Sequence, residues 1–145
     1  MEIKKIESLE KINSIINKFD EEFAPSLSSL VIDLSNYSKK IFDNAITIAM
    51  VENDDVLGFA SFYCNDKESG IAFLSQIAVK KQYESNGIGT ALLKECERIA
   101  KNHGMNKFRL EVYKNNLNGI KFYERNLYIF EKECSKDSRF MIKEI

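Results

Sequence analysis

The strongest constraint on this chain lies in residues 71–103, where an apolar run passes through a glycine-containing loop into an amphipathic segment. The run "IAFLSQIAV" (71–79) is mostly apolar on both of its alternating faces, which suits a central strand covered by helices on each side. Ile88, Leu92, Cys96, Ile99 and Ala100 then recur at helical spacing, and His103-Gly104 closes the segment as a helix C-terminus does. Asn86-Gly87 in isolation is a hairpin dipeptide, but the periodicity that follows overrides it. His103 accordingly reads as a C-terminal helix residue, where cations are favoured, rather than as a catalytic group.

A loop leading from a strand into a helix N-terminus presents backbone N–H groups and the positive end of a helix dipole, which together suit phosphate or pyrophosphate. The stretch "QYESNGIGTALL" (82–93) lacks the Gly-Lys-Ser/Thr of a nucleoside-triphosphate loop. It has Leu92 where a dinucleotide fingerprint wants glycine, and Lys80 to Asn86 make a longer connection than that tight turn. On these residues alone, phosphate binding and a loop whose glycines merely shape the chain stand level.

Before this unit, "MEIKKI" reads as a strand, and Leu9, Ile12, Ile15, Ile16 and Phe19 mark one apolar helix face. Pro25-Ser26 restarts the chain into a second helix carrying Leu27, Leu30, Val31, Leu34 and Tyr37, with Ser26 or Ser28 near its N-cap. "AITIAMVE" and "VLGFASFYC" flank the turn residues "NDD" as an antiparallel hairpin. After residue 104 come a strand "KFRLEVY", a helix from about Leu117 to Arg125, and strands "LYIFEKE" and "RFMIKEI". The order β-α-α-β-β-β-α-β-α-β-β predicts a mixed α/β sandwich. At 145 residues it fits one domain, 1–145, large enough to bury a core without disulfides or a structural metal.

Charge narrows the partners. With 21 Lys and Arg against 22 Asp and Glu, nothing global draws the chain to nucleic acid or an anionic membrane. No apolar run approaches the roughly 20 residues of a membrane span, and "MEIKKIESLEKI" has no signal-peptide core, so a cytoplasmic protein is expected. Cys64, Cys96 and Cys134 are odd in number and lack zinc spacing, so no metal is expected.

The decisive pattern is "LEVYKNNLNGIKFYERN". Val112, Asn116, Gly119, Ile120, Tyr123 and Glu124 resemble motif B of the GNAT N-acetyltransferase superfamily, V-x-x-x-N-x-x-A-I-x-x-Y-E. The loop at 82–91 resembles that superfamily's motif A, Gln/Arg-x-x-Gly-x-Gly/Ala, with Gly87 and Gly89 as its glycines. Both occur in the right order, separated by one helix and one strand. The resemblance implies a three-layer α/β (α+β) sandwich whose mixed, mostly antiparallel central sheet is flanked by helices. It also implies acetyl transfer from acetyl-CoA to a primary amine in one direct step.

What the resemblance implies for single residues is as follows. Backbone groups of Ile77 and Val79 would pair with the pantetheine amides, and the amides of Ser85, Asn86, Gly87, Ile88, Gly89 and Thr90 would hold the pyrophosphate. Tyr123 would protonate the departing thiolate, and Asn116 reads either as an N-cap or as a coenzyme ligand. Glu111 is the expected base, a carboxylate in an apolar strand that desolvation could tune, with a surface ion pair to Arg109 or a lysine as the alternative. Glu21 and Glu22 are the runners-up for the base and are expected to attract the cationic amine. Glu84, Ser85 and Asn86 depart from the motif's Gln/Arg, Gly and Lys, which leaves the loop without a cation unless Lys80 or Lys81 substitutes. A small amine or amino sugar is the favoured acceptor. The alternatives are a protein N-terminus, or an acyl-CoA-binding module with little turnover. Exposed strand edges allow a homodimer.

Overall fold

Apolar residues at three- and four-residue steps commit the segment after Ser8 to a helix, and α1 (Leu9–Phe19) buries Ile12, Ile15, Ile16 and Phe19 from that face. Ser8 caps it by accepting the Lys11 N–H at 3.3 Å. The expected second helix divides in two: α2 (Leu27–Leu30) is a single turn, and α3 (Leu34–Asn44) starts afresh. Asp33 explains the restart, because its carboxylate accepts the N–H groups of Ser35 and Asn36 at 2.9 and 3.3 Å. The cap of the long helix is therefore Asp33, not Ser26 or Ser28. The computed structural model describes every residue except 24, 25, 31 and 32, and every remaining side chain except those of Glu22 and Leu27. The expected break at Pro25 and the apolar contribution of Val31 lie outside the described residues.

Seven strands make one sheet: β1 (Glu2–Lys5), β2 (Ile46–Glu52), β3 (Asp55–Tyr63), β4 (Ile71–Val79), β5 (Lys107–Tyr113), β6 (Ile129–Glu133) and β7 (Ser138–Glu144). Their order is β1-β2-β3-β4-β5-β7-β6, so the apolar run 71–79 is the middle strand, as its two-faced pattern requires. Every pairing is antiparallel except that of β4 with β5, which α4 (Ile88–Asn102) connects. α5 (Leu117–Arg125) follows β5. Helices α1 and α3 pack on one face around Ala49, Phe59 and Ala78, and α4 packs on the other around Phe62, Phe108 and Leu110. The mixed, mostly antiparallel three-layer sandwich is thus present. Each fully buried side chain such as Phe59, Phe62 or Phe108 contributes about 1.5–3 kcal/mol of transfer free energy. Among the described residues no helix is long and apolar enough to cross a membrane.

The β2–β3 turn uses Asn53 and Asp54 with φ of 51° and 64°, the positive pair that a two-residue hairpin turn demands and that Asn and Asp tolerate. A more consequential irregularity lies in β4. Ser61 pairs with Gln76 and Phe62 with Leu74, which leaves Ser75 as an extra residue, a β-bulge. The bulge reverses the alternation of faces. Before it, Ala72 and Leu74 join the core under α4; beyond it, Ala78 packs beneath α1 while Ile77 and Val79 turn toward the α4 side. At the same point β4 and β5 part. Their pairing runs from Ile71 with Lys107 to Leu74 with Leu110 and stops, although β4 continues to Val79 and β5 to Tyr113.

The end of α5 shows where the sequence accepts strain. Leu127 N–H bonds Glu124 C=O and Tyr128 N–H bonds Tyr123 C=O, both at 3.0 Å, the paired closure of a Schellman turn. That closure puts Leu127 at φ 72°, a position that favours glycine, and its side chain is 73% exposed. The Tyr123 and Tyr128 rings, 6.0 Å apart, supply the apolar contact that accompanies the motif. Leu127→Gly should therefore raise the unfolding free energy by about 1 kcal/mol, seen as a higher urea midpoint. A lower midpoint would show that the leucine side chain contributes more than its backbone strain costs.

Candidate active site

The loop between β4 and α4 is built from backbone conformation more than from side chains. Lys81–Tyr83 form one turn of 3-10 helix, Ser85 and Gly87 take φ of 68° and 81° on either side of Asn86, and the helix begins at Ile88. Residues of alternating hand turn successive N–H groups toward one side, which makes a concavity for an anion. No side chain caps α4, and its first helical bond is from Ala91 N–H to Gly87 C=O. The N–H groups of Ile88, Gly89 and Thr90 thus have no acceptor within the helix.

These groups open on a cleft of about 610 Å³. Ile77 and Val79 of β4 wall one side, Glu84 to Thr90 without Asn86 form the end, and Asn116, Asn118, Lys121, Phe122, Tyr123 and Arg125 face them from the other side. The β4 edge from Ser75 to Val79 has no strand partner here, so its backbone can pair with an extended ligand. A second cavity of about 300 Å³ opens on the α1 side between the same parted strands, lined by Phe23, Leu30, Phe73, Gln76, Glu111 and Tyr113 among others. Ile77, Asn116 and Tyr123 line both. Tyr123 therefore stands where the two spaces meet, and burial pushes its phenol pKa well up, so the hydroxyl keeps its proton through the alkaline range.

Glu111 lies on the face opposite Leu110 and Val112, as alternation predicts. It is exposed, so the desolvation expected of an apolar strand is not found. The alternative ion pair to Arg109 is not found either. Arg109 donates two bonds of 2.7 Å to Glu131, the bulged residue of β6, while the Ser138 hydroxyl donates to Glu111 at 2.6 Å. Asn116 is the N-cap of α5, its side-chain oxygen accepting the Gly119 N–H at 3.0 Å, and it lines both cavities as well, so the two expected roles are compatible. A Cβ on Gly119 would lie 2.5 Å from the Asn116 amide, which explains glycine where the motif has alanine.

Three expectations do not match this geometry. Asn86 is exposed and does not line the cleft with its neighbours. Glu21 is exposed and lines neither cavity, and the Glu22 side chain lies outside the described residues. Lys80 does not serve the loop: its ammonium is held by Asp55 at 2.8 and 2.9 Å, with Lys18 on the same carboxylate at 3.2 Å, and these cations keep the Asp55 carboxyl below its usual range. Sequence reading also missed participants. Lys121 and Arg125 share a face of α5 with Asn118 and Phe122, a pattern legible in the spacing once α5 is placed. Gln76 is 4% exposed, and among the described residues its amide makes no hydrogen bond. Tyr37, on α3, shares a 3.0 Å hydrogen bond with Ser75 at the bulge, and its phenol pKa is raised by burial. Among the described residues no group of three or more His, Cys, Asp or Glu side chains could hold a metal ion.

The family model described as the acetyltransferase (GNAT) family matches residues 11–127. A probable spermine N(1)-acetyltransferase from Bacillus subtilis subsp. natto is 25% identical over 105 residues, 68% of this chain and 69% of that protein. Among solved structures, a PaiA N-acetyltransferase from Thermoplasma acidophilum in complex with coenzyme A superposes with a TM-score of 0.78 at 20% identity, covering 100% of both chains. The ribosomal-protein-S18-alanine N-acetyltransferase from Escherichia coli does so with a TM-score of 0.77 at 18% identity, over 99% of this chain and 93% of that one.

Gly89 occupies a tighter place than a flexible loop requires. A Cβ there would meet the Phe122 ring at 3.2 Å, so the glycine sets how closely α4 and α5 approach across the cleft. Gly89→Val should push Phe122 aside and lower stability by about 1 kcal/mol or more, measured by urea unfolding. An unchanged midpoint would mean that the ring swings away without resistance and that Gly89 does not fix the spacing.

Proposed function

The chain belongs to the acetyltransferase (GNAT) family, and from that premise we propose that it transfers acetyl from acetyl-CoA to a primary amine in the junction of its two cavities, with a small amine favoured over a protein N-terminus. The observation that carries this reading is Tyr123 of α5, which alone of the described aromatic residues lines both the cleft of the phosphate loop and the cavity of Glu111. Acetyl-CoA would enter along the free edge of β4, its pantetheine paired with the backbone of Ile77 and Val79 and its phosphates on the amides of Ser85 and of Gly87 to Thr90. The amine would come from the opposite side, past Phe23 and Leu30. Its cavity of about 300 Å³ suits a small acceptor more than a folded one.

The chemistry needs two proton movements. The amine nitrogen attacks the thioester carbonyl carbon, a C–N bond forms, and the C–S bond breaks to release thiolate. Glu111 takes the proton that the amine must lose, assisted by its fixed orientation on Ser138. Tyr123 gives its phenolic proton to the departing sulfur and recovers one from solvent after product leaves. Because burial raises the Tyr123 pKa, the acid form is fully present across the working range and does not limit the rate as pH rises toward 10. The cytoplasm, where acetyl-CoA is made, is the compartment this reading favours.

Glu84 is the specific observation that favours a weaker function, since it places a carboxylate in the cleft beside the loop amides. A module that binds acetyl-CoA without turnover would be stabilised by it in thermal melting yet release no thiol with any amine.

Tyr123→Phe keeps the ring contacts but removes the proton, so kcat should fall about 10- to 100-fold with little change in acetyl-CoA affinity. Glu111→Gln should slow the reaction mostly at low pH, because the neutral-amine fraction rises with pH and relieves the need for a base. Wild-type kcat in Tyr123→Phe, with chemistry rate-limiting, would move the acid elsewhere. Separately, Glu84→Gln should tighten acetyl-CoA about two- to fivefold at low ionic strength and less in high salt, read by calorimetry. Equal affinity at low salt would mean that Glu84 points away from the phosphates.

A further inference from the structure

The loop that faces the cleft carries a carboxylate and no cation, yet the coenzyme brings a diphosphate and a phosphomonoester to it. Glu84 lines the cleft, while Lys81 and Asn86 do not. Lys80, beside Lys81 at the start of the connection, is held by Asp55. The cations that do line the cleft are Lys121 and Arg125, one helical turn apart on α5 and facing the loop across the space.

What sets this pair apart from other surface charge is its place on the cleft opposite the loop. Among the described residues neither forms a salt bridge or a side-chain hydrogen bond, which leaves both available to a ligand, as is also true of cations away from the cleft such as Lys94 and Lys101. Like charges four residues apart also repel on a helix, and α5 is only nine residues long. Glu124, which lies between them in sequence, pairs with neither and does not line the cleft, so an anion held there would relieve the repulsion. Phe122, between them on the same face, holds that face against Gly89 at the start of α4, so the cations and the loop amides close on one space.

We propose that Lys121 and Arg125 are the clamp for the phosphates of acetyl-CoA, supplying from α5 the cation that the loop lacks. The inference rests on the reading that this cleft binds acetyl-CoA, and the experiment separates the two. Arg125 offers a planar fork for two phosphate oxygens and Lys121 a mobile point charge, so the pair can follow an anion that the loop amides hold by one side only.

Calorimetry would measure acetyl-CoA and dephospho-CoA binding to the wild type, Lys121→Gln, Arg125→Gln and the double variant, across a range of salt. Lys101→Gln removes the same charge from the other end of α4 and serves as the control. At low ionic strength each single change should raise the Kd for acetyl-CoA about fivefold and the double change about 20-fold, and these losses should shrink to about twofold at 1 M salt. Lys121→Arg and Arg125→Lys should restore most of the affinity, which a merely structural role would not predict. An equal loss with dephospho-CoA puts the clamp on the diphosphate and a smaller loss puts it on the 3′-phosphate; either supports the proposal. Unchanged affinity in the double variant, a loss insensitive to salt, or an equal loss in Lys101→Gln overturns it. Failure of the wild type to bind acetyl-CoA would instead overturn the reading of the cleft itself.

Discussion

β4 and β5 are held together as parallel neighbours for only four residues each, and the bulge at Ser75 marks where they part. Backbone groups in a sheet must find partners, so ending a ladder in the middle of a seven-stranded sheet is costly unless another strand-like group fills the gap. The rest of the candidate site depends on that gap. It frees the β4 edge, turns Ile77 and Val79 toward α5, and leaves space on both faces of the sheet that meets at Tyr123. A continuous ladder from 71 to 79 would pair the same strand, bury the same apolar residues and leave no passage.

The helices then serve the gap from either side. α4 starts at the loop and presents unbonded N–H groups, while α5 is pinned by Asn116 at one end and by the Schellman turn at Leu127 at the other. Between those pins Tyr123 is fixed in orientation by Phe122 at 5.2 Å and Tyr128 at 6.0 Å. Tyr128 itself donates to Glu97 at 2.8 Å, and Glu97 accepts Lys143 at 2.9 Å, so the aromatic support of Tyr123 is tied to both α4 and β7. The position of the Tyr123 ring thus depends on neighbours reaching from α5 through Tyr128 to α4 and β7.

Much of this was legible in the sequence because it rests on periodicity. The face of α1, the two-faced run of β4 and the helix from Ile88 are all repeating patterns, and each element is where they place it. The exceptions arise where a single side chain outweighs a pattern. Asp33 restarts a helix whose apolar spacing reads as continuous, and Asp55 captures Lys80, one of the two lysines just before the loop. The bulge at Ser75 has no sequence signature at all, since alternation resumes after it on the other face. Glu111 illustrates a different limit: alternation gives the face on which it lies but not how much water reaches that face, and its exposure follows from α1 and α3 covering β2 to β4 while leaving β5 open.

Two residues with positive φ, Ser85 and Leu127, stand where glycine would be easier, and both bound the same functional unit. Ser85 shapes the loop before α4 and Leu127 closes the helix that carries Tyr123. A chain under pressure only for stability would place glycine at both positions, because each side chain pays backbone strain without entering a core: Ser85 is exposed in the cleft and Leu127 in solvent. The physical gain from a non-glycine residue at these points is a stiffer turn in the folded state. Stiffness at the two turns keeps the loop amides and the Tyr123 hydroxyl at a constant separation, which is what a direct transfer between two bound reactants requires of its frame.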